Sequence, residues 1–334
     1  MNLENIEPDW VLRQRDAVRR SEIDPTHPYA IDVDVEPLGD GRFADVLTVF
    51  LSVAECPLRC VMCDLWKNTL PQQTVNGDVV TQIRHARSEF SRRLQERDDD
   101  SPRPRWIKLY NSGNFFDSRS IPPVDYIPIA DSLMGFQRVI VENHPKIGLS
   151  RIAEFQRFLP LPLEIAVGVE TLQTGMLRRL HKQFSRDDLD AFAKRAADAS
   201  IDLRGFLMLR PPWCGNDEAI RWARLSLRHL FRLGFRHVTI IPTRDGNGAM
   251  ESLRRAGVFT PPDLRSLRDA LRFGLMDRER FCDAANQCVV MADLWDIQRV
   301  PLCHDSQVDE GIVQRDRLID EIREMNHSQV PASA

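Results

Sequence analysis

Long apolar runs are missing from this sequence. None reaches the 18 residues typical of a membrane-spanning helix, and residues 1–8 have neither the basic start nor the apolar core of a secretory signal. Cysteine is scarce too: the chain has seven, an odd number with three in one short stretch, which argues against a framework of disulfides. We therefore expect a protein of a reducing compartment, the cytoplasm, without a membrane segment.

A strong excess of positive charge is also missing. The formal net charge is −4, whereas nucleic-acid binders usually carry a basic patch or stripe. Arginine is nevertheless frequent, and many arginines recur at helical spacing opposite apolar residues, as at positions 84, 87, 92, 93, 221, 224, 228 and 232. We interpret these arginines as solvated helix faces, so composition neither supports nor excludes a nucleic-acid partner.

What the sequence does have is a regular alternation of buried strands and amphipathic helices. Six apolar runs read as strands, at residues 47–53, 106–110, 137–142, 163–169, 203–209 and 237–241. Helical patterns lie between them, most clearly at 76–94, 187–200 and 217–233. This order predicts right-handed βαβ units on a parallel sheet, with an edge strand at 31–35 before them.

Three cysteines, Cys56, Cys60 and Cys63, follow the first of these strands on one short loop. Three thiolates this close can converge on one centre, and clustered thiolates select zinc or an iron–sulfur cluster. A four-iron cluster normally takes four cysteines, so a three-cysteine loop leaves one iron with an open position, and an open position usually marks a site of chemistry. Half of a zinc site and three ordinary buried thiols are the alternatives.

The spacing Cys-x3-Cys-x2-Cys, with the apolar Met62 before the last cysteine, resembles the signature of the radical S-adenosylmethionine (SAM) superfamily. The resemblance implies that the three cysteines hold a [4Fe–4S] cluster whose fourth iron chelates the amino and carboxylate groups of SAM. It also implies an electron donor such as a flavodoxin or ferredoxin. The implied fold is α/β, a partial (β/α)6 TIM-like barrel at residues 46–275, between an N-terminal lead-in (1–45) and a C-terminal extension (276–334).

In such barrels chemistry lies at the carboxyl ends of the strands, where this chain carries polar residues. Ser112-Gly113-Asn114 follows the second strand, where the superfamily has a glycine-rich motif whose backbone binds the SAM amino group; a plain turn is the alternative. The third and fourth strands end at Glu142 and Glu170, and a buried carboxylate is costly unless it is paired or bound to a ligand. Both are candidate site residues, with a structural salt bridge as the alternative for each.

The strand ends sharpen the resemblance towards the Elongator-catalytic-subunit-like branch, and the radical subunit of archaeosine synthase in particular. Its patterns match at residues 112–117, 142–145, 168–182, 241–243 and 261–262. The chain departs from the branch where Asn143-His144 replaces a Thr-Arg or Ser-Arg pair. The length leaves no room for that subunit's acetyltransferase domain, and no RNA-binding module is visible after residue 275. The substrate therefore stays open between a tRNA base and a small metabolite or peptide.

Arg210 ends the fifth strand, where the branch leads us to expect a lysine. A guanidinium there could pair bidentately with the SAM carboxylate or with an anionic substrate. A salt bridge to Glu142 or Glu170 is the alternative.

The C-terminal extension contains Cys282, Cys288, Cys303 and His304, a set that could bind zinc or an auxiliary cluster or cap the substrate. The gap between the first two cysteines is wider than in metal knuckles, and the apolar run at 289–292 reads as a buried strand, so core cysteines are the alternative.

The sequence thus predicts a radical SAM enzyme, which cleaves SAM reductively so that a 5′-deoxyadenosyl radical abstracts hydrogen from a substrate. The rival interpretation is a non-enzymatic protein in which Cys56, Cys60 and Cys63 join a fourth ligand in a closed zinc or iron–sulfur site.

Overall fold

One eight-stranded sheet forms the centre of the protein. The structure is a computed structural model, and it describes residues 6–97, 102–282, 288–303 and 311–332. The strands lie in chain order: β1 (Ala30–Pro37), β2 (Phe43–Phe50), β3 (Arg105–Tyr110), β4 (Arg138–Glu142), β5 (Leu163–Glu170), β6 (Asp202–Leu209), β7 (His237–Pro242) and β8 (Val289–Ala292). β1 pairs with β2 in antiparallel fashion, and every later pair is parallel. The sheet is barrel-shaped and nearly closed.

The predicted α/β barrel is confirmed, with more strands than the six of the central prediction. Strands β3 to β7 match five of the predicted runs to within one residue at each end, whereas β2 begins four residues before the predicted run at 47–53 and ends three residues before it does. The edge strand expected at 31–35 is β1, and the apolar run at 289–292 is β8, which extends the parallel sheet beyond the predicted core. The lead-in and the extension therefore each contribute a strand to the barrel.

One helix, α1, precedes the sheet, and the other helices follow its strands. The helices are α1 (Pro8–Arg15), α2 (Asp78–Gln95), α3 (Tyr126–Ser132), α4 (Leu149–Gln156), α5 (Thr174–Arg179), α6 (Arg186–Asp198), α7 (Asn216–Arg232), α8 (Ala249–Arg255), α9 (Leu264–Phe281) and α10 (Gly311–Ser328). Helix α6 begins at a capping box, in which Ser185 and Asp188 each bind the other's backbone N–H. Among the described residues, no helix combines the length and the apolar character needed to cross a membrane.

The apolar core lies between the helices and the outer face of the sheet. Alternate strand residues such as Leu47, Ile107 and Ile165 are fully buried there against apolar helix residues such as Ile83 and Phe155. Because strand side chains alternate between faces, the intervening residues point into the barrel.

Charged side chains fill the barrel at the amino ends of its parallel strands. Arg204 on β6 donates to Glu164 of β5 (Nε to Oε1, 2.8 Å) and to Glu36 of β1 (Nη2 to Oε2, 3.0 Å), and Lys108 of β3 also pairs with Glu36. All four side chains are buried. Although burial alone would raise it, the charges of Arg204 and Lys108 hold the pKa of Glu36 well below its usual range. Two carboxylates and two cations thus close the amino end of the barrel with balanced charge.

The open edge of β8 is covered by the end of the chain. Asn326 pairs its side-chain amide with both backbone groups of Ala292 (2.8 and 2.9 Å), and Gln329 does the same with Val290 (3.0 and 2.9 Å). Amide side chains therefore take the place of a neighbouring strand and satisfy an edge that would otherwise be exposed.

Candidate functional site

The cysteine loop leaves the carboxyl end of β2 and is clamped from several sides. The N–H of Val61 donates to the carbonyl of Leu180 (3.1 Å), and the buried Asn247 donates Nδ2 to the carbonyls of Val61 (2.7 Å) and Cys63 (3.1 Å). Arg59 binds the carbonyl of Cys56 through Nη1 (2.7 Å). These contacts hold the loop backbone at Cys56, Val61 and Cys63.

The three thiols lie in a buried environment. Burial is the main reason that the pKa values of Cys56 and Cys60 rise to about 11 and that of Cys63 to about 12. The charge of Lys182 acts in the opposite direction on Cys56 and Cys60. Uncompensated thiolates are therefore disfavoured at neutral pH, and a bound cation would have to displace their protons.

The predicted second strand end lies directly against the cysteine loop. A Cβ added to Gly113 would stand 2.7 Å from the Cβ and 3.2 Å from the Sγ of Cys56. The buried amide of Asn114 donates Nδ2 to Cys56 Sγ at 3.2 Å. The structure therefore brings Ser112-Gly113-Asn114 to the cysteines, as the sequence predicts, and shows why only a glycine fits at the middle position.

Glu142 shapes that strand end from the neighbouring strand. Its Oε2 accepts the N–H of Asn111 (3.0 Å), and the N–H groups of Ser112 and Gly113 also act to lower the pKa of the carboxyl. Ser112, the residue after this bond, adopts a left-handed φ of 55°. Burial raises the pKa of Glu142 to about 7 in spite of the three N–H donors. Glu142 is thus bound by backbone rather than by the arginine that the salt-bridge alternative named.

Glu170 forms an ion pair that the sequence analysis did not name. Lys182 Nζ donates to Glu170 Oε1 at 3.1 Å, and both side chains are largely buried. Gly168 leaves space for the pair, because a Cβ there would lie 2.7 Å from Glu170 Oε1 and 3.1 Å from Lys182 Nζ. Burial acts to lower the pKa of Lys182, but the charge of Glu170 and, next in size, that of Cys60 raise it above its ordinary value. The ammonium therefore stays charged beside the thiols.

Lys182 is therefore a candidate site residue that sequence reasoning missed. It lay inside the matched segment 168–182, and its spacing from Glu170 was the available signal. Only the fold turns the helix that follows β5 back towards the cysteine loop, where the carbonyl of His181 meets Cys60 Sγ at 3.7 Å.

Arg210 and Met62 lie in the surrounding wall. Arg210 has a φ of 59° at the end of β6, and its Nη1 donates to the carbonyl of Pro261 (3.2 Å). Met62 is half-buried and packs against an apolar cluster that contains Met176, Leu180 and Met208. The structure places both residues at the carboxyl end of the barrel, as expected.

The N-terminal lead-in also reaches the site. Arg15 and Arg20 both pair with Glu55, the residue before Cys56, at 2.8 and 2.5 Å. Tyr29, just before β1, lies with its hydroxyl 3.5 Å from Ser112 Oγ. Residues 6–29 therefore form part of the site's outer wall, which no motif in that segment indicated.

The C-terminal cysteines are arranged differently from the predicted second metal site. Cys282 and Cys288 form a disulfide, so in this state neither offers a thiolate to a metal. His304 lies outside the described residues, and the second site stays a prediction. Throughout the described parts of the chain, no three His, Cys, Asp or Glu side chains converge as ligands of a single metal ion.

Comparison with known proteins gives structural matches only. No family model matches the sequence, and no curated protein matches it. Among solved structures, Elp3 from the archaeon Methanocaldococcus infernus aligns with 75% of this chain and 59% of its own at 13% identity and a TM-score of 0.51. Methylornithine synthase (PylB) aligns with 99% of this chain and 81% of its own at 12% identity and a TM-score of 0.52. A radical SAM methyltransferase, TsrM from Kitasatospora setae, aligns with 65% of this chain and 41% of its own at 13% identity and a TM-score of 0.44.

At these identities the similarity establishes the fold. The barrel is of the kind found in Elp3 and PylB, and the likeness extends to the fold alone. This chain spans about three fifths of the Elp3 chain, the 59% given above.

Proposed function

We propose that this protein is a radical SAM enzyme. The observation that carries the proposal is the contact between the cysteine loop and the next strand end, where Gly113 packs on Cys56 at the carboxyl edge of the barrel. Chemistry in barrels of parallel strands is built at that edge. A structural metal site would not require a second strand end shaped against one of its ligands.

The residues present fit a [4Fe–4S] cluster. Cys56, Cys60 and Cys63 are soft donors on one fixed loop, and in a cubane each would bind its own iron, so the three sulfurs need not meet at one ion. The missing Cβ of Gly113 lets Cys56 pack closely against the next strand end, and the ammonium of Lys182 offsets the negative charge of the thiolates. With three cysteines on the loop, one iron is left for another ligand.

When bound, the cluster and SAM supply the one-electron cleavage of the S–C5′ bond, which gives methionine and a 5′-deoxyadenosyl radical able to abstract hydrogen. The protein's part is to hold these groups. The backbone at Ser112 and Gly113, kept in place by Glu142, would receive the SAM amino group, and Asn114 belongs to the same strand end. Lys182, held by Glu170, and Arg210 bring positive charge to the same edge and would orient the carboxylate of SAM or an anionic substrate. Met62 and its apolar neighbours would exclude water.

The resemblance implies the electron donor and suggests a tRNA base as the substrate, whereas the acidic net charge favours a small metabolite or peptide. We propose a flavodoxin or ferredoxin as the donor and either a tRNA base or a small metabolite or peptide as the substrate, with the cytoplasm as the location. The closed zinc or iron–sulfur site remains the rival, and it predicts no reaction with SAM.

The test is release of 5′-deoxyadenosine by anaerobically reconstituted, dithionite-reduced protein. We expect release by the wild type and by Cys214→Ala, whose thiol lies off the cysteine loop, and none by Cys60→Ala, which should also lose its iron. Release that persists in Cys60→Ala, or a protein that binds zinc and no iron, would refute the proposal.

A further inference from the structure

The side chain of Asn114 has both ends of its amide engaged. Nδ2 lies 3.2 Å from Cys56 Sγ, and Oδ1 accepts the backbone N–H of His144 at 2.8 Å. A backbone N–H can only donate, so the oxygen of the amide must face His144 and the nitrogen must face the sulfur. The side chain is 1% exposed, which leaves it no room to turn over. Asn114 is therefore a fixed N–H donor to Cys56.

The partner that fixes this amide is itself anchored. The ring of His144 receives the N–H of Lys146 at Nδ1 (3.2 Å), so Nε2 carries the proton and donates to the carbonyl of Lys182 (2.7 Å). Burial lowers the pKa of His144 to about 4, which keeps the ring neutral. His144, one of the two residues at which this chain departs from the branch it resembles, thus supports the strand end that carries Asn114.

We infer that Asn114 tunes the cluster through a hydrogen bond to its Cys56 ligand. This inference rests on the proposed function and goes beyond it, because it assigns the side chain to the cluster rather than to SAM. Hydrogen bonds to the cysteine sulfurs are one of the factors that set the reduction potential of an iron–sulfur cluster. Reduction adds negative charge to the cluster and its ligands, so an N–H donor stabilises the reduced form more than the oxidised form and raises the potential.

The same amide positions Cys56. Asn114 and Gly113 hold its side chain from the β3 side, while Arg59 holds its carbonyl from within the loop. Asn114 therefore positions Cys56 and tunes the cluster. Its substitution should change the reduction potential of the bound cluster without removing a cysteine ligand.

The experiment is a redox titration of the reconstituted protein, followed by the electron paramagnetic resonance signal of the reduced cluster, with iron per chain measured on each sample. Asn114→Leu removes the donor and keeps the branching and the number of heavy atoms of the side chain. Asn143→Leu is the matched control, because Asn143 is a buried amide in the same loops that bonds to Phe116 N, His144 O and Ile147 O and not to sulfur.

We expect Asn143→Leu to titrate like the wild type. In Asn114→Leu the ratio of reduced to oxidised cluster at a fixed poise should fall about tenfold, which is about 59 mV for a one-electron couple. Asn114→Asp gives a second measurement if the leucine variant does not fold, because it keeps an oxygen towards His144 N–H and should lower the potential at least as far.

An unchanged midpoint in the Asn114 variants, with full iron, would overturn the inference and leave the proposed function intact. A lowered midpoint in the Asn114 variants, together with a wild type that does not cleave SAM, would support the inference and refute the radical chemistry. A wild type that binds no four-iron cluster would overturn both.

Discussion

Gly113 is the residue on which the geometry of the site depends most closely. Any side chain there enters the space of Cys56, at 2.7 Å from its Cβ. We predict that Gly113→Ala displaces Cys56 and lowers iron per chain after reconstitution by several-fold. Gly175→Ala is the control, because no atom lies within 4 Å of its added Cβ and the residue sits in the first turn of α5. Equal iron content in the two variants would contradict the role given to Gly113.

Glu142 should make stability depend on pH. Its pKa in the folded protein is raised by burial to about 7, from 4.5. The folded state therefore binds the proton more readily, so this carboxyl disfavours folding progressively as the pH rises from about 4.5 to 7 and has its full effect above 7.

Glu142→Gln removes that titration and keeps the shape of the side chain. We predict that the free energy of unfolding of the wild type, relative to Glu142→Gln, falls by roughly 2 to 3 kcal/mol between pH 5 and pH 8. Urea titrations of apoprotein at several pH values measure it. A difference that is constant with pH would show that Glu142 does not titrate in this range.

At the residue scale, the sequence identified positions better than partners. Cys56, Gly113, Glu142 and Glu170 were expected at strand ends, since the order of strands and polar residues is written in the chain. The partner of Glu170 was not expected, because Lys182 reaches Glu170 only after the chain has turned through α5. Asn247, which clamps the cysteine loop from a point 184 residues away, carries no local signal at all.

Helix α10 is the element whose role is least visible in the sequence and most specific in the structure. Its last turn and the residue after it bind the edge of β8 through Asn326 and Gln329. We predict that Asn326→Leu lowers the free energy of unfolding by about 2 kcal/mol, because it leaves the N–H and carbonyl of Ala292 buried without partners.

The control for that prediction is Arg323→Ala on the same helix. The Arg323 side chain is 57% exposed and pairs with an exposed Asp320, so its loss should change stability by less than about 0.5 kcal/mol. Thermal and urea unfolding compare the two variants. Equal losses would mean that the amide pairing does not stabilise the edge.

Elements with strong periodicity were predicted well, and elements that depend on distant partners were not. The six strands β2 to β7 and helices α6 and α7 follow from apolar spacing. The lead-in carries no motif that points to the site, and its contribution to the site wall arises from ion pairs to Glu55 that no local pattern encodes.

At the scale of the whole molecule, the barrel has two different ends. Balanced charges close the amino end, and the cysteine loop with its partner strand ends lies at the other. The charged closure could not be read from the sequence, because Glu36 lies in a segment rich in proline, aspartate and glycine, and its partners are on strands β3 and β6.

Arg204→Met tests whether the charged amino end of the barrel and the cysteine loop at the other end are independent of each other. We predict a loss of about 3 to 5 kcal/mol of unfolding free energy, since the Glu36 and Glu164 carboxylates stay buried without their shared cation. Arg236→Met, which removes a half-exposed partner of Asp202, should cost less than about 1 kcal/mol. Iron per chain should be unchanged in folded Arg204→Met; a selective loss of iron would show that the two ends are coupled.

We propose that the three-cysteine loop holds a four-iron cluster with one iron open to SAM. The most direct test is the electron paramagnetic resonance spectrum of the reduced, reconstituted protein with and without SAM. We predict about four irons per chain and a signal that changes when SAM is added. A protein without such a cluster, or a cluster signal that SAM leaves unchanged, would contradict it.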